Sequence, residues 1–170
     1  MGPFSDPDAF QPFFEAHFRE LASFSRSLLG SGLEAEDVAQ EALILLYRCR
    51  RRLRAGTSPR AFAYRIAQRL CLSRLRRDSR RRALAVLFAP LAQRESAPVQ
   101  DPVDSWFTGL PKRQRAIAHL HFAENRDASE IAATLGIAAS TVRVQLARIR
   151  SKLQSAKPPS LKTERCPHAS

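Results

Sequence analysis

DASEIAATLGIAASTVRVQLARIRSKL, residues 127–153, is the stretch on which the fold of this chain turns. Asp127 is a residue type that caps helices, and Glu130 three positions later completes a capping box, so a helix starts at Ala128 and carries Ile131, Ala132 and Leu135. Gly136-Ile137-Ala138 then forms a short turn, with Gly136 able to take the left-handed conformation that side chains disfavour. In the next helix Val142, Leu146, Ile149 and Leu153 recur at spacings of four, three and four, one buried stripe. Ser140, Val144, Ala147, Arg148 and Ser151 point the opposite way. Two short helices crossing on a glycine turn, with one face left for solvent, make a helix-turn-helix.

The outward face of the second helix is small at its start, with Thr141, Arg143 and Arg148 at its flanks. It therefore fits a major groove about 12 Å wide. Ser140, Thr141, Arg143, Val144, Ala147 and Arg148 are the candidate duplex-reading residues, the two arginines suited to guanine or phosphate. Lys112, Arg113, Arg115, Arg150 and Lys152 add a sequence-independent phosphate attraction that falls with salt. The plain alternative is a helical hairpin with a solvated basic face. Ala138 stands where a capping Ser or Thr is common, which weakens that helix start by about 1 kcal/mol and leaves Ser140 as the next candidate cap.

Working upstream, Phe14, Phe18, Leu21 and Leu28 recur at helical spacing, as do Val38, Ala42, Leu45 and Cys49, and then Phe62, Ile66 and Leu70. Three amphipathic helices fill roughly residues 10–77, separated by Gly30 and Gly32 and by Ala55-Gly56-Thr57-Ser58-Pro59. Pro90, Pro98 and Pro102 then punctuate a stretch with no sustained period beyond the apolar run Ala83 to Leu91. Helical spacing resumes near Val103–Thr108 and again from Pro111 to about Ala123. The expected fold is all-α, with no strand and no internal repeat. Two small helical domains, 10–82 and 103–155, are joined by a flexible linker at 83–102, and a disordered polar tail follows at 156–170.

The chain holds 28 Lys and Arg against 16 Asp and Glu, a net charge of +12 that favours an anionic partner. The charge lies in blocks. Residues 1–47 carry two basic and eight acidic side chains, and residues 48–82 carry fourteen and one. Residues 83–109 carry one and three, and residues 110–170 eleven and four. A general polyanion binder needs no acidic first third, so separate surfaces for separate partners are expected. No apolar run of membrane-spanning length and no signal peptide occurs, which points to a soluble cytoplasmic protein with no membrane partner. Cys49, Cys71 and Cys166 are too few and too scattered for a disulfide framework or a CxxC metal site.

Asp37, Gln40 and Glu41, within AEDVAQEALILLYR at 35–48, share one helix face beside the apolar stripe. Arg65, Arg69, Ser73 and Arg76 share a face of the third helix, which suits a DNA backbone. With these segments, FAYRIAQRL at 62–70 and the stretch LPKRQRAIAHLHFAENRDASEIAATLGIAASTVRVQLARIRSKL at 110–153, the sequence resembles the extracytoplasmic-function sigma factors over roughly residues 10–155.

That resemblance implies a transcription initiation factor. Asp37, Gln40 and Glu41 would dock on the clamp helices of the RNA polymerase β′ subunit. Arg54, Arg60, Arg65, Arg69, Ser73, Arg76 and Arg77 would engage the minus-ten promoter element. The helix-turn-helix would read the minus-thirty-five element and rest on the β flap, and an anti-sigma factor is an expected partner. The sequence departs from the family pattern at Phe62 and Ala63, where Trp-Leu is usual, at Arg69, where Asn is frequent, and at Pro59, where the loop usually has an aromatic residue.

A conventional regulator with a sensor half is the main rival, but a sensor has little use for the basic helix at 60–82. A basic amphipathic membrane binder is a weaker rival. An enzyme is not expected: there is no phosphate loop, nucleophile elbow or paired catalytic carboxylate, and neither a cofactor nor a small-molecule substrate is called for. His119 and His121 diverge on a helix, and Cys166 with His168 falls short of a metal site.

Overall fold

A computed structural model describes residues 10–30, 32–53, 56–88 and 109–155. It contains α1 (Phe10–Leu29), α2 (Gly32–Cys49), α3 (Pro59–Phe88), α4 (Lys112–Ala118), α5 (Ala128–Leu135) and α6 (Ala139–Ser155), with no strand among the described residues. A short 3-10 turn, Arg50–Arg52, ends α2, and a π-helical turn, His119–Ala123, continues α4. The expected helix near Val103–Thr108, the linker beyond residue 88 and the tail after Ser155 lie outside the described residues.

Helices α1, α2 and α3 pack on one another. Leu21, Phe24 and Leu28 from α1, Val38, Leu43 and Leu46 from α2, and Tyr64, Ala67 and Cys71 from α3 are all fully buried. Each large apolar side chain so placed contributes about 1.5–3 kcal/mol of transfer free energy. Burial also pushes the Cys71 thiol up to about 11, so it packs as a small apolar group.

The α3 stripe differs from the one the periodicity predicts. Phe62, Ile66 and Leu70 are only half-buried, and the buried set is Ala63, Tyr64, Ala67 and Cys71, one residue further on. Small alanines let α3 approach its neighbours closely, so the larger side chains are displaced to the border of the contact. The second difference is length: α3 continues through Ala83 to Phe88, six residues into the expected linker. Alanine, leucine and arginine are good helix formers, and no glycine or proline intervenes before Pro90.

Helices α4, α5 and α6 form a second group around Ile117, Leu120, Ile131, Val142 and Ile149. The two groups are not held apart: α5 packs on α3, α4 packs on α1, and a single buried cluster runs through both. The two expected domains thus pack on one another, with Leu120 in the shared cluster and the His119 ring against Phe24 of α1.

Candidate functional site

The helix-turn-helix forms as its local chemistry demands. The Ser129 and Glu130 amides donate to Asp127 Oδ1 at 2.7 and 2.8 Å, and the Asp127 amide donates to Glu130 Oε2 at 3.0 Å. Gly136 ends α5 in the left-handed region at φ 69°, and its amide and that of Ile137 donate to the Ala132 carbonyl at 2.9 and 3.1 Å. Asp127→Ala should remove the cap and cost about 1 kcal/mol, read as a lowered thermal midpoint with unchanged helix content at low temperature. Helix α6 begins at Ala139, with the Val142 amide donating to the Ala138 carbonyl at 3.1 Å. Ser140 is therefore inside the first turn and not the residue ahead of the helix, contrary to its expected role as a cap.

Val142, Leu146 and Ile149 of α6 are buried, while Ser140, Thr141, Arg143, Val144, Ala147 and Arg148 are all exposed. Val144 is 50% exposed, an apolar surface of the kind that meets a thymine methyl group. Lys112 and Arg113 are exposed as well. Arg115 is not part of this field: it is half-buried, burial lowers its pKa, and its Nε donates to the Leu110 carbonyl at 2.9 Å.

On α2, Asp37, Gln40 and Glu41 are exposed together. Arg74 from α3 donates to Glu41 at 3.1 Å and to the Glu34 carbonyl at 3.0 Å, which fixes the edge of the patch. Ile44, one turn further along α2, is 41% exposed and borders an apolar groove with Phe10, Phe14 and Tyr47. It follows Gln40 by four positions and Glu41 by three, which puts it on the polar face of α2 and outside the stripe of Val38, Ala42, Leu45 and Cys49.

The basic face of α3 is divided. Arg69, Ser73, Arg76 and Arg77 are exposed, Arg54 lies outside the described residues, and Ala63, at a departure from the family pattern, is buried. Arg60 and Arg65 are turned inward onto the second helix group. Arg60 donates to Glu20 at 2.8 Å and to Glu124 at 3.2 Å. Burial works against the Arg60 charge, but Tyr64, Glu20 and Glu124 outweigh it and raise its pKa. Arg65 caps the end of α5, donating to the Thr134 and Ala133 carbonyls at 3.2 and 2.7 Å. A cation suits that helix end, where carbonyls lack partners.

The sequence offers no sign that Glu124, Tyr64 and His119 meet, and His119 enters there only as a poor metal ligand. Glu124 accepts from the Tyr64 hydroxyl at 2.6 Å and lies 3.5 Å from His119 Nε2. Burial and the Glu124 carboxylate both hold the proton on Tyr64, far above its ordinary pKa. The π-helical turn delivers Glu124 to this place, its amide donating to the His119 carbonyl at 3.2 Å, and Asn125 follows at φ 52°. Such turns often occur at functional positions, but a sequence gives them no periodic signature. Among the described residues no three His, Cys, Asp or Glu side chains are grouped to hold a metal, and no helix is long and apolar enough to cross a membrane.

The chain matches Sigma-70 region 2 over residues 13–81 and Sigma-70, region 4 over residues 107–153. It is 30% identical over 157 residues to the ECF RNA polymerase sigma factor SigM of Mycobacterium tuberculosis (strain H37Rv), covering 87% of this chain and 76% of SigM. With SigG of the same strain, another ECF RNA polymerase sigma factor, it shares 26% identity over 180 residues, 88% of this chain and 49% of SigG. The fold is similar to that of the sigma factor RpoE from Bartonella quintana, solved with the anti-sigma factor NepR. The TM-score is 0.69 at 21% identity, covering 92% of this chain and 98% of RpoE. It is also similar to CnrH, solved with the cytosolic domain of CnrY, with a TM-score of 0.67 at 21% identity and 89% of each chain covered.

Proposed function

The chain belongs to the extracytoplasmic-function RNA polymerase sigma factors, and from that membership we propose how its surfaces divide the work of directing RNA polymerase to promoters. Asp37, Gln40 and Glu41 dock on the polymerase core, at the β′ clamp helices. Arg69, Ser73, Arg76 and Arg77, with Arg54, Arg60 and Arg65 once these are free, hold the minus-ten element. Ser140, Thr141, Arg143, Val144, Ala147 and Arg148 read the minus-thirty-five element, with the helix-turn-helix resting on the β flap.

The observation that carries this reading is the separation of three exposed surfaces on three helices: acidic on α2, basic on α3, and small with flanking arginines on α6. Each suits a different partner. Clustered arginines attract the phosphate backbone without reading it, while the α6 face has the width and donors for base edges. The factor performs no chemistry of its own. It supplies sequence preference and holds an opened strand, polymerase supplies catalysis, and both act in the cytoplasm. An anti-sigma factor completes the set of partners, in keeping with the similar sigma factor RpoE, solved with the anti-sigma factor NepR.

Run-off transcription with purified core polymerase on a library of promoter fragments tests the assignment. Selective transcripts should appear only when the protein is added. The double substitution Asp37→Ala, Gln40→Ala should weaken core binding at least about tenfold, equivalent to 1.4 kcal/mol, and leave binding to isolated duplex unchanged. Unaltered core affinity and transcription in that variant would remove the α2 patch from the docking surface.

A further inference from the structure

Between the start of α1 and the end of α2 lies an open groove of about 610 Å³, walled by Phe10 and Phe14 on one side and by Ile44 and Tyr47 on the other. That volume falls in the range of about 300–1,000 Å³ found for clefts that take small organic ligands. The rings are held in place. Phe14 stacks on Phe18, with centroids 5.5 Å apart and planes 15° from parallel. Tyr47 meets Phe10 at 4.8 Å between centroids. The Arg50 guanidinium lies 3.8 Å from the centre of the Tyr47 ring, where its Nη1 donates to the Tyr47 carbonyl at 2.9 Å. Arg48 lines the groove and is exposed, as is Arg51 one turn further on. At the other edge Glu15, the carboxylate of the lining, accepts from Gln11 at 3.0 Å.

We propose that this groove is a stacking site for an unpaired base of the opened DNA strand, with Arg48 and Arg50 attracting the phosphates on either side of it. The inference adds α1 and α2 to the strand contacts read on α3, and it rests on the reading that the protein holds an opened strand. Aromatic walls beside a basic rim are the chemistry of single-strand binding: every base offers a π face, so stacking holds the strand with little regard to sequence, while arginines attract its backbone. The Arg50 guanidinium, already stacked on Tyr47, extends the aromatic surface with a cation. Charge favours a strand over a protein as the occupant. The acidic patch of α2 ends at Glu41, whereas residues 48–82 carry fourteen basic side chains and one acidic. The groove opens onto that basic run, which leads through Arg54 into α3.

The test uses the full chain and two fluorescein-labelled probes at low salt, a single strand of twelve thymidines and a strand of twelve abasic sugar-phosphate units. Stacking on an aromatic side chain changes affinity by roughly 5- to 150-fold per base, so the wild type should bind the thymidine strand at least about fivefold more tightly than the abasic one. The double substitution Phe14→Leu, Tyr47→Leu keeps the groove apolar and removes two π faces. It should erase that preference, leaving abasic binding and affinity for core polymerase at the wild-type level. Ile44→Glu places a carboxylate in the groove at a side chain already 41% exposed, and should weaken thymidine binding more than Leu33→Glu, which makes the same change at the far end of α2 where the side chain is 82% exposed.

A wild type that binds the thymidine strand no better than the abasic one, or binds neither, overturns the proposal. So does a double variant that keeps the preference. Lost core affinity in the double variant with unchanged strand binding assigns the groove to polymerase and likewise overturns it. Should the double variant lose helix content by circular dichroism, Ile44→Glu decides, and equal binding by Ile44→Glu and Leu33→Glu overturns the stacking site. Replacing Arg69, Arg76 and Arg77 together by alanine tests the α3 reading separately: it should weaken both probes by the same factor, and unchanged binding there removes α3 from the strand while the groove is still judged by its own variants.

Discussion

Replacing Arg143 and Arg148 together by glutamate is expected to abolish promoter-selective transcription, lowering run-off product at least about 100-fold while core affinity stays at the wild-type level. Both side chains are exposed on the outer face of α6, and the buried stripe of that helix does not involve them, so the fold should tolerate the change. A good arginine contact to a base edge discriminates by about 1–3 kcal/mol, and each 1.4 kcal/mol is a factor of ten. Removing both arginines from the groove accounts for the expected factor before the repulsion between glutamate and phosphate is added. Reversing the exposed pair Lys112 and Arg113 should instead weaken duplex binding for all sequences alike and flatten its salt dependence. Core affinity that fell with Arg143 and Arg148 would mean that α6 touches polymerase directly. Undiminished selective transcript would remove α6 as the reading helix.

Phe24→Ala should be the most damaging single truncation of the fold, costing about 3–5 kcal/mol. Phe24 is fully buried, and it touches both halves of the molecule through Tyr64 and His119. Its removal leaves a cavity at the junction, where α1 cannot collapse inward without breaking its packing against α2 and α3. At roughly 2–4 °C per kcal/mol for a chain of this size, the thermal midpoint should fall by about 10 °C. Leu146→Ala, within the second helix group, is the comparison: it should destabilise the protein but leave the junction intact. A Phe24→Ala loss below about 1 kcal/mol, less than a typical core truncation, would show that the two halves do not share a packed core.

Much of the molecule was legible from local pattern. The capping box at Asp127 and Glu130, the left-handed Gly136 and the buried Val142, Leu146 and Ile149 all appear as expected, because each depends on neighbours within a turn or two of helix. The exposure of Asp37, Gln40 and Glu41 follows from the same periodicity. Periodicity failed where tertiary contact overrode it. Hydrophobicity ranks Phe62, Ile66 and Leu70 above Ala63 and Ala67, yet close helix packing buries the alanines. It also failed at Ser140, where the backbone of Ala138 had already begun the helix.

The sequence by itself therefore determined the helices, the capping box of α5, the family and the sign of charge on each surface, since all of these are set by residues close together along the chain. The tertiary structure alone decided that Arg60 and Arg65 face inward and that Glu124 meets Arg60 and Tyr64. Tyr64 is sixty residues from Glu124 in sequence and 2.6 Å from it in space, and no local period encodes a contact that forms only when two helix groups meet across a common core.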